Sequence, residues 1–469
     1  MQRRNLLSLG VLPLFAASAF SQTAAHAEAD LQAAARLRDL ALADNTTAYS
    51  LIEGLCTEVG PRPAGSAGDA LAVAWAQREF SALGMQVRTE AVEVTPWLRG
   101  EAQATLLAPH AMPLVMTALG NSVGTAPGGL DAEVVYYPDF AALKADTSNK
   151  AMGRLVFIDQ RTERTQDGSG YGRAVLARIA GAAEAARKGA VAVAIRSIGT
   201  ANDRMAHTGA MRYEPQLRQL PAIAVSVPDA NTISRLHQRG VPMRLRLNMR
   251  NSVGPKTMSA NVLAEIKGSD LAHEVVQLGA HLDSWDTGQG ALDDAAGVGI
   301  VGAAAAMLLR AGLQPRRTVR VVLFANEENG FDGANAYAAL HKNERHQLVS
   351  ESDFGAGKIW RMASRVNPAA LGAIDNMASV LKPLGIALAG NQGNPGPDAG
   401  VLMRTNGWPA LGLTQDGTAY FDVHHTPNDT LDKIDRATLP QNVAAWAVVA
   451  WLAAQSQVPF GPISLAPAA

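Results

Sequence analysis

The chain has 469 residues, more than one ordinary domain needs, and its length points to two or three units. A hydrophobic share of 48% and a charged share of 18% fit a globular protein with a sizeable core. A formal net charge of −1, without a concentrated basic run or regularly interleaved aromatics, argues against nucleic acid and acidic membrane surfaces as partners.

In chain order, the first residues read as an export signal. Arg3 and Arg4 form a basic start, residues 6–20 are apolar, and Ala25-His26-Ala27 offers a small-x-small cleavage site, giving a signal segment of residues 1–27. The apolar run falls short of the ~20 residues of a spanning helix, so no stable membrane span is expected after cleavage. The paired arginines ahead of Leu6 and Leu7 also suit export of a folded protein. The expected location is the periplasm or the exterior. The single cysteine, Cys56, cannot form an intrachain disulfide and lies in an apolar-periodic stretch that suits buried packing.

Residues 28–90 read as helices, with Gly60-Pro61-Arg62-Pro63 breaking the run. QVRTEAVEV at 86–94 alternates as a strand does. Composition shifts near Leu114, and residues 114–251 read as mostly β with one or two helices, a self-contained insertion. Within it GRLVFIDQ, AVAVAIRSI and PAIAVSVP are expected strands, and RAVLARIAGAAEAARKG a helix closed by Gly189. DGSGYG does not make a GxSxG elbow, so Ser169 reads as loop rather than nucleophile. From Ser259 strands and helices alternate. The resulting expectation is an α/β fold, a mixed and mostly parallel sheet flanked by helices, built from 28–113 and 252–462 around the insertion.

The chemistry gathers at strand ends of that second half. His281 and Asp283 end one apolar run, and Asp293 follows on the next loop. Glu327-Glu328 ends TVRVVLFAN, Asp353 follows LVSES, and His424-His425 lies in YFDVHHTPNDT. Each motif alone is weak: an HxD is often structural, adjacent glutamates are often solvated, and Asp-Asp before a helix is often a cap. Their common position at one edge of an α/β sheet is what raises them. Nitrogen and oxygen donors without cysteine suit zinc. A pair of ions about 3.5–4 Å apart needs a shared carboxylate, and Asp293, just before a helix, is a natural bridge. Neighbouring glutamates in extended backbone point opposite ways, so one can bind metal while the other reaches a water as general base. Asp283 is placed to accept the second N–H of His281 and fix its tautomer.

The sequence resembles the co-catalytic zinc exopeptidases of the carboxypeptidase Q type, relatives of bacterial di-zinc aminopeptidases. The likeness rests on VGPRPAGS at 59–66, PWLRGE at 96–101, GAHLDSWDTGQGALDD at 279–294, NEENG at 326–330, ESDFG at 351–355 and YFDVHHTPNDT at 420–430. AARKGAVAVAIRS and AHTG in the insertion match a protease-associated domain. The resemblance implies two zinc ions per chain, one on His281 and Asp353, the other on Glu328 and His425, with Asp293 bridging. It makes Glu327 the general base, sets Asp283 and Asp429 behind the ligands, and leaves Tyr420 and His424 to meet substrate. It implies a peptide substrate and a homodimer, the latter shown by no sequence pattern. Arg404 and Arg196 are candidate binders of a substrate carboxylate. Two competing readings are a non-catalytic member of the fold and a glutaminyl cyclase-type zinc acyltransferase. The first predicts lost ligands and the second a single metal.

Overall fold

Near-continuous apolar strands need a sheet covered on both faces. The structure, a computed structural model, describes residues 14–463 and builds such a sheet. Its strands run in the order Gln86–Val94, Thr257–Ile266, Arg317–Phe324, Leu271–His281, Arg345–Glu351, Ala410–Gln415, Ile359–Arg365 and Ala387–Leu388. The middle four pair in parallel, whereas Thr257–Ile266 and Ile359–Arg365 join them antiparallel. The sheet is therefore mixed, as expected, with its parallel part at the centre.

The helix Ala296–Arg310 crosses one face with nearly every side chain buried. Small residues let it approach closely: a Cβ on Gly297 would sit 1.9 Å from the Ser352 carbonyl, beside the Asp353 segment. The stretch Ala291–Arg310 is long and apolar enough to cross a membrane, but 89% of its most apolar window is buried inside the fold. Its apolarity serves the core. The last helix, Leu439–Gln455, packs beside it, and the helix Leu14–Ala43 covers both with Ala34, Leu37 and Ala41. Arg3, Arg4 and the start of the expected signal segment lie outside the described residues. Cys56 is buried and free, and burial pushes its thiol up to about 11.

A second sheet holds Met112–Leu114, Ala102–Ala108, Arg244–Met249, Leu130–Tyr137, Leu155–Ile158, Ala192–Arg196, Ala222–Val225 and Met116–Ala118, in that order. Ala102–Ala108 belongs to it, with Leu106 opposite Leu245, so this unit begins before the expected Leu114 boundary. Local pattern could not show this, because the partner strand lies far along the chain. Helices also occupy more of the unit than expected: Phe140–Ala145, Ser169–Ala174, Leu176–Arg187 and Val227–Gln238 lie among its described residues. Ser169 opens a short helix rather than lying in a loop, and it is exposed.

Two contacts tie the units together at PWLRGE. Trp97 packs edge-on against Trp285, ring centroids 6.1 Å apart, and Arg99 pairs with Asp286 at 2.8 Å. On the other side Thr200 N donates to Phe421 O at 3.0 Å, Thr208 N to His425 O at 2.9 Å, and Arg164 pairs with Asp422. The 420–425 loop is thus held by the insertion.

Candidate active site

The four central parallel strands each deliver chemistry at their C-terminal ends. His281 is the last residue of Leu271–His281. Glu327 and Glu328 follow Arg317–Phe324, Asp353 follows Arg345–Glu351, and His424 and His425 follow Ala410–Gln415. Asn326 and His425 both sit at φ 60, an uncommon region for residues other than glycine, and each aims a functional segment into the cleft.

Asp293 is the hub. Its Oδ1 lies 3.0 Å from His281 Nε2, which is also 3.7 Å from Asp353 Oδ1. Its Oδ2 lies 3.1 Å from His425 Nε2, which is 3.2 Å from Glu328 Oε2. Each oxygen of one carboxylate therefore faces a separate histidine–carboxylate pair. His281, Asp293, Glu328 and His425 are buried, while Asp353 and Glu327 are partly exposed. His424 stacks on His425 with centroids 3.5 Å apart, and its Nε2 is 3.4 Å from Asp293 Oδ2. The compact groups able to hold a metal are His281, Asp293 and Asp353 on one side and Asp293, His424 and His425 on the other. The second group differs from the expected one by offering His424 in place of Glu328. Glu328 Oε2 nevertheless lies 3.2 Å from His425 Nε2, on the same side of the site.

The electrostatics favour a cation. Burial pushes Glu328 up to about 7, with Asp293 adding to the effect. His425 is held at about 9, because Glu328 and Asp293 outweigh the burial that would lower it. Burial, with Asp353 and Glu328 nearby, raises Glu327 well above the usual carboxyl range. Asp293 Oδ2 and Glu328 Oε1 are buried without a hydrogen-bond partner. Oxygen and nitrogen atoms crowded in this way, with orphaned acceptors and no thiolate, fit zinc or a similar divalent ion.

The supporting residues are fixed by the backbone. Asp429 accepts from Leu292 N at 2.7 Å and Asp293 N at 3.2 Å, which orients the hub. Asp294 accepts from His281 N at 3.1 Å and Gly297 N at 3.0 Å, joining strand end to helix start. Asp283 faces His281 Nδ1 with two acceptors, its main-chain carbonyl at 3.0 Å and its carboxylate Oδ1, the atom expected from sequence, at 3.6 Å. The same carboxylate also accepts from Glu327 N at 3.0 Å and Glu328 N at 3.4 Å.

These residues open into a cavity of about 690 Å³ lined by both units, including Arg178 and Met211 from the insertion and Glu327, Tyr420 and His424 from the first sheet. Burial near Asp293 and Asp353 keeps the Tyr420 phenol protonated, so it is available as a donor. Arg196 does not reach the cavity lining: it pairs with Asp159 at 2.5 Å inside the insertion. Arg404 is exposed on the helix Pro397–Asn406 and is likewise outside the lining. Two residues had no role assigned from sequence. Arg62 is wholly buried beneath the His281–Asp293 loop, and Arg178 lies on the buried face of an alanine-rich helix. A lone arginine spaced with Gly181, Ala182 and Ala185 was the available signal for the latter.

Fold and site together define a metallo-exopeptidase. The model of Peptidase family M28 matches residues 261–450. Carboxypeptidase Q of Mus musculus is 34% identical over 409 residues, covering 87% of this chain and 85% of that protein. Carboxypeptidase Q of Xenopus laevis is 35% identical, covering 85% and 84% respectively. The crystal structure of a peptidase M28 precursor from Shewanella amazonensis SB2B superposes with a TM-score of 0.91 at 45% identity, covering 94% of this chain and 100% of that one. A zinc aminopeptidase from Bacillus subtilis shares the fold, with a TM-score of 0.63 at 18% identity, covering 90% and 98%. This chain belongs to peptidase family M28, with carboxypeptidase Q among its relatives.

Proposed function

We propose that the protein is a di-zinc exopeptidase acting on dipeptides or short peptides. One ion is held by His281 and Asp353, the other by Glu328 and His425, and Asp293 is shared. The observation that carries this reading is the division of Asp293, whose Oδ1 faces His281 and Oδ2 faces His425. Zinc at such a site supplies a water of lowered pKa and a Lewis acid for the peptide carbonyl. Glu327, raised in pKa by burial, takes the proton of the attacking water on its carboxylate and returns it to the leaving amine. The Tyr420 hydroxyl donates a hydrogen bond to the developing oxyanion. His424 and the insertion shape the pocket around the peptide and limit its length.

The division into a discontinuous peptidase domain and an inserted protease-associated domain is part of the proposal, as is export through the N-terminal signal. The test is hydrolysis of a dipeptide panel with free and blocked termini, before and after chelation and zinc restoration. Chelator-sensitive cleavage with about two zinc ions per chain is expected. No chelator-sensitive cleavage of any peptide would end this reading.

A further inference from the structure

The two histidines that face Asp293 are held in different ways. His281 is secured within its own strand, loop and helix: its N–H donates to Asp294 at 3.1 Å, and its Nδ1 faces the Asp283 carbonyl at 3.0 Å. His425 sits at φ 60, a backbone region that a residue with a side chain keeps only where its surroundings over-determine it. Those surroundings come from the inserted unit, through the AHTG segment at 206–209.

Three contacts join that segment to His424 and His425. His207 Nδ1 donates to the His424 carbonyl at 2.7 Å, and Thr208 N donates to the His425 carbonyl at 2.9 Å. The Thr208 carbonyl in turn lies 3.3 Å from His425 Nδ1. Arg178 Nη1 is also 3.3 Å from that nitrogen, but a guanidinium offers no acceptor. Thr208 O is therefore the acceptor for the Nδ1 proton, which leaves the lone pair of Nε2 facing Asp293 and Glu328.

The segment is itself anchored in the second sheet. His207 and Thr208 are buried, His207 N donates to Ser197 Oγ at 3.0 Å, and Thr208 Oγ1 donates to the Ala118 carbonyl at 2.9 Å. Ser197 follows the strand Ala192–Arg196, and Ala118 ends Met116–Ala118. A Cβ on Gly199 would stand 2.2 Å from His207 Nε2, so glycine there admits the ring.

We propose that the inserted unit completes one of the two metal positions: His207 and Thr208 are positioning residues that hold His425 as a ligand, so the ion on Glu328 and His425 depends on docking of the insertion, whereas the ion on His281 and Asp353 does not. The inference rests on the di-zinc reading above and adds a task for the insertion beyond shaping the pocket. His207 acts through the backbone of His424, and Thr208 through the backbone and ring of His425. The coupling is reciprocal: if docking tightens that ion, the ion tightens docking by the same factor. His281 owes neither its backbone nor its ring orientation to the insertion, because Asp283 and Asp294 belong to the same loop.

The test is zinc binding to the full chain after metal removal, followed by calorimetry and metal analysis. His207→Leu removes the donor and should weaken one ion by about 10–100-fold while the other keeps its wild-type affinity. In a Glu328→Gln background, which lacks the affected ion, the same substitution should leave the remaining ion unchanged. His207→Asn carries an amide nitrogen close to the place of Nδ1 and should restore most of the lost affinity. Equal weakening of both ions, no weakening of either, or a loss that His207→Asn does not restore overturns the proposal. If His207→Leu does not fold, Arg164→Gln decides, since it removes only the exposed pair with Asp422 at the edge of the same contact. It should weaken the same single ion by about 3-fold, and an equal effect on both ions or none on either overturns the proposal. Wild type that binds two ions but cleaves no peptide would end the peptidase reading and leave the variants to decide the role of His207. Wild type that binds a single ion would end the di-zinc reading and this inference with it.

Discussion

Arg62 donates through Nε to the main-chain carbonyl of Leu282 at 2.6 Å, beneath the loop that joins His281 to Asp293. The same guanidinium reaches Gln289 O at 2.6 Å and Gly290 O at 3.0 Å, at the far end of that loop. One buried cation therefore sets the separation of two metal-site residues. Nearby, Ser66 caps the helix Ala67–Ala82 by accepting from Asp69 N at 3.1 Å, so the VGPRPAGS segment anchors both loop and helix. Arg62→Met leaves several buried carbonyls unsatisfied, each worth roughly 1–3 kcal/mol. Denaturant unfolding should show a loss of about 3–5 kcal/mol, and zinc titration an affinity lowered about 10–100-fold. A variant with wild-type stability and zinc affinity would remove this role.

Glu327→Gln keeps the shape of the side chain and removes the base. Its zinc content should stay near that of wild type while kcat falls by about 10²–10⁴-fold. Metal analysis beside steady-state kinetics makes the comparison, and retained turnover would reassign the base.

The hub and the outer ligands predict different stoichiometries. Asp293→Ala should weaken both ions, whereas Glu328→Gln should release only the one beside His425. His424→Ala should retain both and change KM. Metal analysis after dialysis distinguishes them. Loss of an ion in His424→Ala with none lost in Glu328→Gln would move His424 into the ligand set, as its 3.4 Å approach to Asp293 allows.

Acid stability should depend on His346, away from the cavity. Its ring stacks on Trp408 with centroids 3.7 Å apart, and Nε2 lies 2.9 Å from the Tyr337 hydroxyl. Burial, then the positive Arg320 and His341, lowers its pKa from 6.5 to about 3 against the opposing pull of Glu344. Between those values the unfolded chain holds the proton and the folded chain does not. The contribution of neutral His346 is complete above 6.5 and is lost as pH falls through the window toward 3. The slope is up to about 1.4 kcal/mol per pH unit. His346→Phe should flatten that part of the stability profile measured by denaturant unfolding across the window. An unchanged slope would assign the acid lability elsewhere.

The sequence by itself determined the alternation of strands and helices after Ser259, and with it the strand-end positions of His281, Glu327, Glu328, Asp353 and His425. Apolar runs and period-3.6 patterns are local, so they survive without tertiary context. The motifs also carried the family. Tertiary structure alone decided which sheet took Ala102–Ala108, because pairing with Arg244–Met249 is a contact between distant segments. It alone gave the Asp283 carboxylate a further task, accepting from the backbone N–H of Glu327, because that segment arrives from a different strand end. It also turned Arg196 inward to Asp159 and brought Arg178 beside His425, two arginines of one inserted unit with opposite surroundings. Composition cannot separate such pairs, because whether a buried charge is satisfied depends on which distant atoms the fold places around it.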